Sequence, residues 1–139
     1  MQHIGTVYSK KGQVGDFDWQ IRSGLYEDAL FLFNDDVKRH GWKKAGTGNA
    51  IIRKYNKHAL SKPRSHGIIT GNEKGFESLT EEAKRIIDKC FEEAKWIIQE
   101  HNYTTIYYSA STPNGLLGTS IFQIGEDVRT YITEQIKKI

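Results

Sequence analysis

The chain of 139 residues has one cysteine, Cys90, and only two prolines. A single thiol cannot close an intramolecular disulfide and offers none of the repeated spacings of a cysteine metal site, so the expected environment is reducing. Long apolar runs are lacking as well. No stretch approaches the ~20 residues of a membrane span, and Met1-Gln2-His3-Ile4 lacks the basic-then-apolar order of an export signal. The chain therefore reads as soluble, cytoplasmic and without a membrane partner. No internal repeat or low-complexity tract is evident. With 37% hydrophobic and 27% charged residues it reads as globular, and its length suits a single domain over 1–139.

Net charge is only +3, but the charges are unevenly placed. Between Val37 and His66 there are nine basic residues, three histidines and no carboxylate. That segment is +9, and the remainder, with all 17 carboxylates, sums to −6. A concentrated positive field attracts anions such as phosphates, whereas its bland reading is a solvated basic face.

Periodicity gives the elements. His3–Tyr8 and Phe17–Arg22 alternate or nearly so, with glycines between them, and suggest a hairpin or two neighbouring strands. Ala29–Phe33 is a continuous apolar run, expected as a strand buried on both faces, with Asn34 and Asp35 at its end. Ala50–Tyr55 suggests a short helix, and Gly67–Thr70 a second buried strand ending at Gly71. The clearest element is a helix between Ser78 and His101, where Ala83, Ile86, Ile87, Cys90, Ala94, Ile97 and Ile98 form one apolar stripe. Ser78 and Glu81 fit a capping box at its start. Tyr103–Tyr108 reads as a strand, and a last helical stretch is expected to open at Gly118-Thr119-Ser120. The class is α/β or α+β: a mixed β-sheet covered by two long amphipathic helices.

Gly46-Thr47-Gly48-Asn49-Ala50 lies inside the +9 segment at a candidate helix start. Glycines allow close backbone approach to an anion, and free N–H groups at a helix start point toward it, so the block suits phosphate. It is neither a Walker loop nor the dinucleotide fingerprint, and an ordinary turn with a cap is the alternative. Arg53, four residues beyond Asn49, would share a helical face with it and offer a bidentate fork. Trp19 and Arg22, in a regular strand, would point to opposite faces. Trp19, Trp42 and Phe76 sit in half-exposed sequence where a ring can stack on a base or simply pack. Phe91 and Trp96 fall off the main helical stripe and suggest a second face buried by oligomerisation.

For catalysis there is little. No Gly-x-Ser-x-Gly elbow is present. Cys90 lies on the buried stripe and is expected to be inert. His40, His58 and His66 lack helix-borne metal spacings, and their basic surroundings would oppose a cation, so no metal and no cofactor are expected. Asp35 with Asp36 offers a general base, or orders the loop after its strand.

The blocks Asp28–Asp35, Gly46–Arg53, Gly67–Gly71 and Leu117–Phe122 together resemble the first family of phage-encoded Thoeris anti-defence proteins. The resemblance implies a non-enzymatic sponge that binds cyclic ADP-ribose isomers in the host bacterial cytoplasm without cleaving them. It also implies a homo-oligomer, dimer or hexamer, in which some relatives hold cyclic oligonucleotides at separate sites. Such a ligand needs phosphate donors, a stacking ring and groups for ribose hydroxyls. Gly46, Gly48, Asn49 and Arg53, with Arg22, are the candidates for the first role, Trp19 or Phe76 for the second, and Asn34 with Asp35 for the third, with Thr70 and Gly71 alongside. A nucleotide-processing enzyme acting on ADP-ribose derivatives, with Asp35 as base, is the second reading. A binder of nucleic-acid polymers is a third, which the −6 remainder disfavours.

Overall fold

The computed structural model describes residues 1–119 and 123–139; Ser120, Ile121 and Phe122 of the last resemblance block lie outside the described residues. The fold is α/β, organised on one sheet in the order β1-β5-β2-β3-β4. The strands are β1 (Gln2–Thr6), β2 (Ala29–Asp36), β3 (Ser65–Asn72), β4 (Lys74–Gly75) and β5 (Thr105–Ser109). The first four neighbours in the sheet pair in parallel, and only the two-residue β4 is antiparallel, so the sheet is mixed as expected.

Alternation along the strands sends side chains to two cores. Leu30 and Leu32 of β2, with Ile106 and Tyr108 of β5, meet helices α2 (Glu81–His101) and α3 (Glu126–Lys137) on one face. Ala29, Phe31 and Phe33, with Tyr107, meet helix α1 (Phe17–Ser23) and a 3-10 helix (Gly48–Tyr55) on the other. Phe31 and Tyr107 stack there across adjacent strands at 4.9 Å. Two long helices thus cover only one face, and the second layer consists of the two short helices.

The largest correction concerns Phe17–Arg22, which is helix rather than strand. Asp16 caps it by accepting from the Trp19 N–H, and Gly24, at φ 75°, ends it in the left-handed conformation. Its buried face is Phe17, Gln20 and Ile21, a helical spacing, and Gln20 is fully buried with its Oε1 accepting from the Gly15 N–H. Three smaller corrections follow. The cap of α2 is Thr80, whose hydroxyl accepts from the Ala83 N–H, rather than Ser78. The last helix begins at Glu126 rather than at Gly118. Phe91 belongs to the core beneath α2 instead of an outer interface, whereas Trp96 is 60% exposed.

Candidate functional site

Helices α1 and α3 leave the neighbouring parallel strands β1 and β5 toward opposite faces of the sheet. Divergent connections of this kind open a crevice outside the carboxyl ends of the strands, the usual ligand position in α/β sheets. A cleft of about 1010 Å³ lies there. Val7 and Tyr8 after β1, Ser109 to Ser111 at the end of β5, and Gly118 with Thr119 form its floor and one wall. Trp19 and Arg22 of α1 form another wall, closed by Gly48, Asn49 and Ile51 of the 3-10 helix. Because α1 is a helix, Trp19 and Arg22 are three residues apart on one face, and both reach the cleft.

Three exposed apolar side chains meet here. Tyr8 is 55% exposed, and Val7 and Ile51 are also among the exposed large hydrophobic side chains. Lys11 and Arg22 supply positive charge. The carboxylates present are already engaged: Asp16 accepts from the Gly12 and Trp19 N–H groups, and Asp18 from Tyr55 Oη–H, Arg22 and Lys54. Desolvation pushes the Asp18 carboxyl up, but hydrogen bonds from Tyr55, Lys54 and Arg22 outweigh it and hold the pKa below the ordinary value.

The walls are fixed to the sheet. Asn34 of β2 donates its backbone N–H to Asn49 Oδ1 at 3.3 Å and its Nδ2–H to the Gly118 carbonyl at 3.0 Å. The Gly118 N–H in turn bonds the Ser109 carbonyl, and Arg129 Nε–H the Leu117 carbonyl. Gly48 has φ 60°, a left-handed turn that glycine adopts without strain as the 3-10 helix begins. Thr47 provides no side-chain cap, leaving the first N–H groups of this helix without a side-chain acceptor.

The anticipated site residues divide across the 3-10 helix. With three residues per turn, positions 48 and 51 face the cleft while 47, 50 and 53 face away. Asn49 and Arg53, expected on one face, are therefore separated by about a third of a turn. Asn34, Asp35, Gly46, Arg53, Thr70 and Gly71 line a second cavity of about 300 Å³. Phe76 lines neither cavity and packs against the core beneath α2.

Arg53 is not an open fork. Its side chain is 3% exposed and its Nη2–H donates at 2.6 Å to Oδ1 of Asp35, itself 1% exposed. The Asp35 Oδ2 faces His40 Nδ1 at 3.0 Å, and Oδ1 also accepts from the Asp36 N–H. Three donors already occupy its two oxygens, and with its side chain 1% exposed the carboxylate is poorly placed to act as a general base. Burial raises the Asp35 pKa, but His40 and Arg53 more than offset it, and the carboxyl stays below its ordinary value. The glycines around it are explained by this pair: a Cβ at Gly46 would sit 2.5 Å from Arg53 Nη1, and one at Gly67 would sit 2.3 Å from Asp35 Oδ2.

The network continues to α2. His40 Nε2 faces Glu93 Oε1 at 3.4 Å, and Lys57 Nζ–H donates to Glu93 Oε2 at 2.7 Å. Bonds to Asp35 and Glu93 push the His40 pKa up to about 9, against burial. His40 pulls the Glu93 carboxyl down to about 2, burial drives His66 down to about 4, and burial pushes the Cys90 thiol up to about 12. Donor atoms of His40, Cys90 and Glu93 lie within 4.8 Å of one another, a grouping suited to a cation.

Much of the +9 segment is thereby consumed. Arg39, Arg53, Lys54 and Lys57 pair with Asp36, Asp35, Asp18 and Glu93, all outside the segment, and Arg64 donates to the Tyr26 and Ala29 carbonyls. The cleft residues that sequence reasoning missed include Val7, Tyr8, Lys11, Asp16, Asp18, Ile51 and the Ser109–Ser111 and Gly118–Thr119 turns. For those that follow β1 or β5 the only local signal is position after a β-strand, which identifies a site once β1 and β5 are known to be parallel neighbours. Among the described residues, no helix is long and apolar enough to cross a membrane. Compared with protein-family models, curated proteins and solved structures, the chain has no match.

Proposed function

We propose that the chain binds and sequesters a nucleotide of the cyclic ADP-ribose class in the cleft at the carboxyl ends of β1 and β5, without cleaving it. One observation carries the reading: exposed Tyr8, Val7 and Ile51 converge there with Trp19, Lys11 and Arg22 around about 1010 Å³. Small-molecule sites are apolar concavities of about 300–1,000 Å³ with a few polar groups, and this cleft is at the upper end. Trp19, held edge-on by Tyr26 at 6.3 Å, offers a stacking surface for a base. Arg22 and Lys11 balance a diphosphate, and the Gly48–Asn49 turn offers backbone N–H groups. The resemblance of the four sequence blocks supplies the ligand class.

Sequestration needs affinity rather than a base, which accords with engaged Asp16, Asp18 and Asp35 carboxylates. The exposed Trp96 supports a homo-oligomer, dimer or hexamer, through the outer face of α2, to be checked by sedimentation of Trp96→Glu. The decisive experiment is incubation with a panel of cyclic ADP-ribose isomers and cyclic oligonucleotides, removal of free ligand, heat release and chromatography. Intact ligand recovered in proportion to protein is the expected result. Conversion to ADP-ribose would replace the sponge with an enzyme, and no ligand retained from the panel would remove the nucleotide reading altogether.

A further inference from the structure

Away from the cleft, on the α2 side of the sheet, we infer that His40, Cys90 and Glu93 form a binding site for a zinc-type divalent cation. Cys90 and Glu93 are three residues apart on α2, so their side chains share one face, and His40 comes to them from the loop after β2. The three donor atoms lie within 4.8 Å of one another. Around a tetrahedral zinc with bonds of about 2.0–2.3 Å, donors stand roughly 3.3–3.8 Å apart, so closure requires an inward shift of about an ångström. An imidazole, a thiolate and a carboxylate together favour zinc over magnesium or calcium, which take oxygen ligands alone.

The outer contacts of these groups suit that role. A ligating histidine typically presents one ring nitrogen to the metal and holds a carboxylate or carbonyl with the other. His40 has this arrangement, with Nδ1 on Asp35 Oδ2 at 3.0 Å and Nε2 turned toward Glu93 and Cys90. Glu93 keeps Oε1 toward the cluster while Lys57 holds Oε2 at 2.7 Å. The basic surroundings that argue against a cation in the sequence are thus already paired, Lys57 with Glu93 and Arg53 with Asp35. His66 is held by the Cys90 carbonyl at 3.1 Å and is not counted as a ligand, so one coordination position remains for water. When the cation binds, the Cys90 S–H bond and the His40 Nε2–H bond both break, the two protons pass to solvent, and a zinc–thiolate and a zinc–imidazole bond form.

The test uses the full chain, chelator-treated and free of any histidine tag. Titrated with Zn²⁺ against a chromogenic chelator it should retain one zinc per chain, and Co²⁺ should give a thiolate-to-cobalt charge-transfer absorption. His40→Gln, with its fold checked against the parent by circular dichroism, should weaken zinc at least about tenfold. Cys90→Ala should abolish the charge-transfer band. No retained zinc, a cobalt complex without that band, or His40→Gln binding zinc as the parent does would each overturn the site. Should Cys90→Ala fail to fold, the parent's cobalt spectrum and His40→Gln still decide.

Discussion

The two sides of the 3-10 helix handle polar residues in opposite ways. Toward β3 and α2, Arg53, Asp35, His40, Glu93 and Lys57 bond to one another in a chain that runs from a buried pair out to half-buried Glu93 and Lys57. Toward α1 and β1, Gly48 and Ile51 open onto a cleft where Arg22 is 58% exposed and the Tyr8 ring stands in solvent beside half-buried Trp19. A charged residue near a glycine-rich turn is therefore a poor guide to ligand binding until its partner is known. On one side charge is paired in the interior, and on the other the pairing of Arg22 with Asp18 is at the surface, where it leaves the guanidinium accessible.

The sharpest way to break this contrast is Asp35→Asn, which leaves Arg53 buried without its counter-ion. A loss of about 3–5 kcal/mol is expected in urea unfolding. Unchanged stability with lost nucleotide binding would instead assign the pair to the ligand site. Gly67→Ala should cost about 1–3 kcal/mol, because its methyl would meet the Asp35 carboxylate, and combining it with Asp35→Asn should be non-additive in the same unfolding assay. On the cleft side, Trp19→Ala should weaken nucleotide binding by about 1–3 kcal/mol in calorimetry while leaving the melting temperature nearly unchanged.

The network also has a pH signature. His40 is held near 9 in the folded chain, so from about 6.5 to 9 the folded state keeps a proton that the unfolded state has lost, and stability falls as pH rises. His66, near 4, acts in the opposite sense: from about 6.5 down to 4 the unfolded state takes up a proton that the fold refuses, and stability falls as pH falls. Chelator-treated protein should therefore show maximal stability near pH 6.5, declining on either side by at most about 1.4 kcal/mol per pH unit per histidine. The smallest effect is expected of Arg39→Ala, whose half-exposed pair with Asp36 should contribute no more than about 1 kcal/mol to the unfolding free energy.

What was legible in the sequence was whatever burial writes as periodicity. The apolar run of β2 and the stripe of α2 are both where they were expected, and α/β follows from their alternation. The errors arise where a polar residue takes a core position or where partners are distant in sequence. Gln20, fully buried, makes α1 look like an alternating strand, although Asp16 and Gly24 mark both its ends. The distinction between α and 3-10 winding, which separates Asn49 from Arg53, leaves no trace in eight residues. Nor does composition reveal that Arg53 meets Asp35, or that β5 lies beside β1; such pairings are decided by the sheet's connections.

The strand order carries a consequence for how the chain is made. Gln2 pairs with Thr105, and β2 pairs with the same β5, so the last of the described strands inserts between β1 and β2 inside the sheet. Until it leaves the ribosome, β1 has no neighbour and β2 shows an open apolar edge. Folding must therefore wait for about three-quarters of the described chain, and nascent or truncated forms ending before Thr105 are the ones exposed to edge-to-edge aggregation. The cleft, which requires the ends of both β1 and β5, comes into existence only at that final insertion.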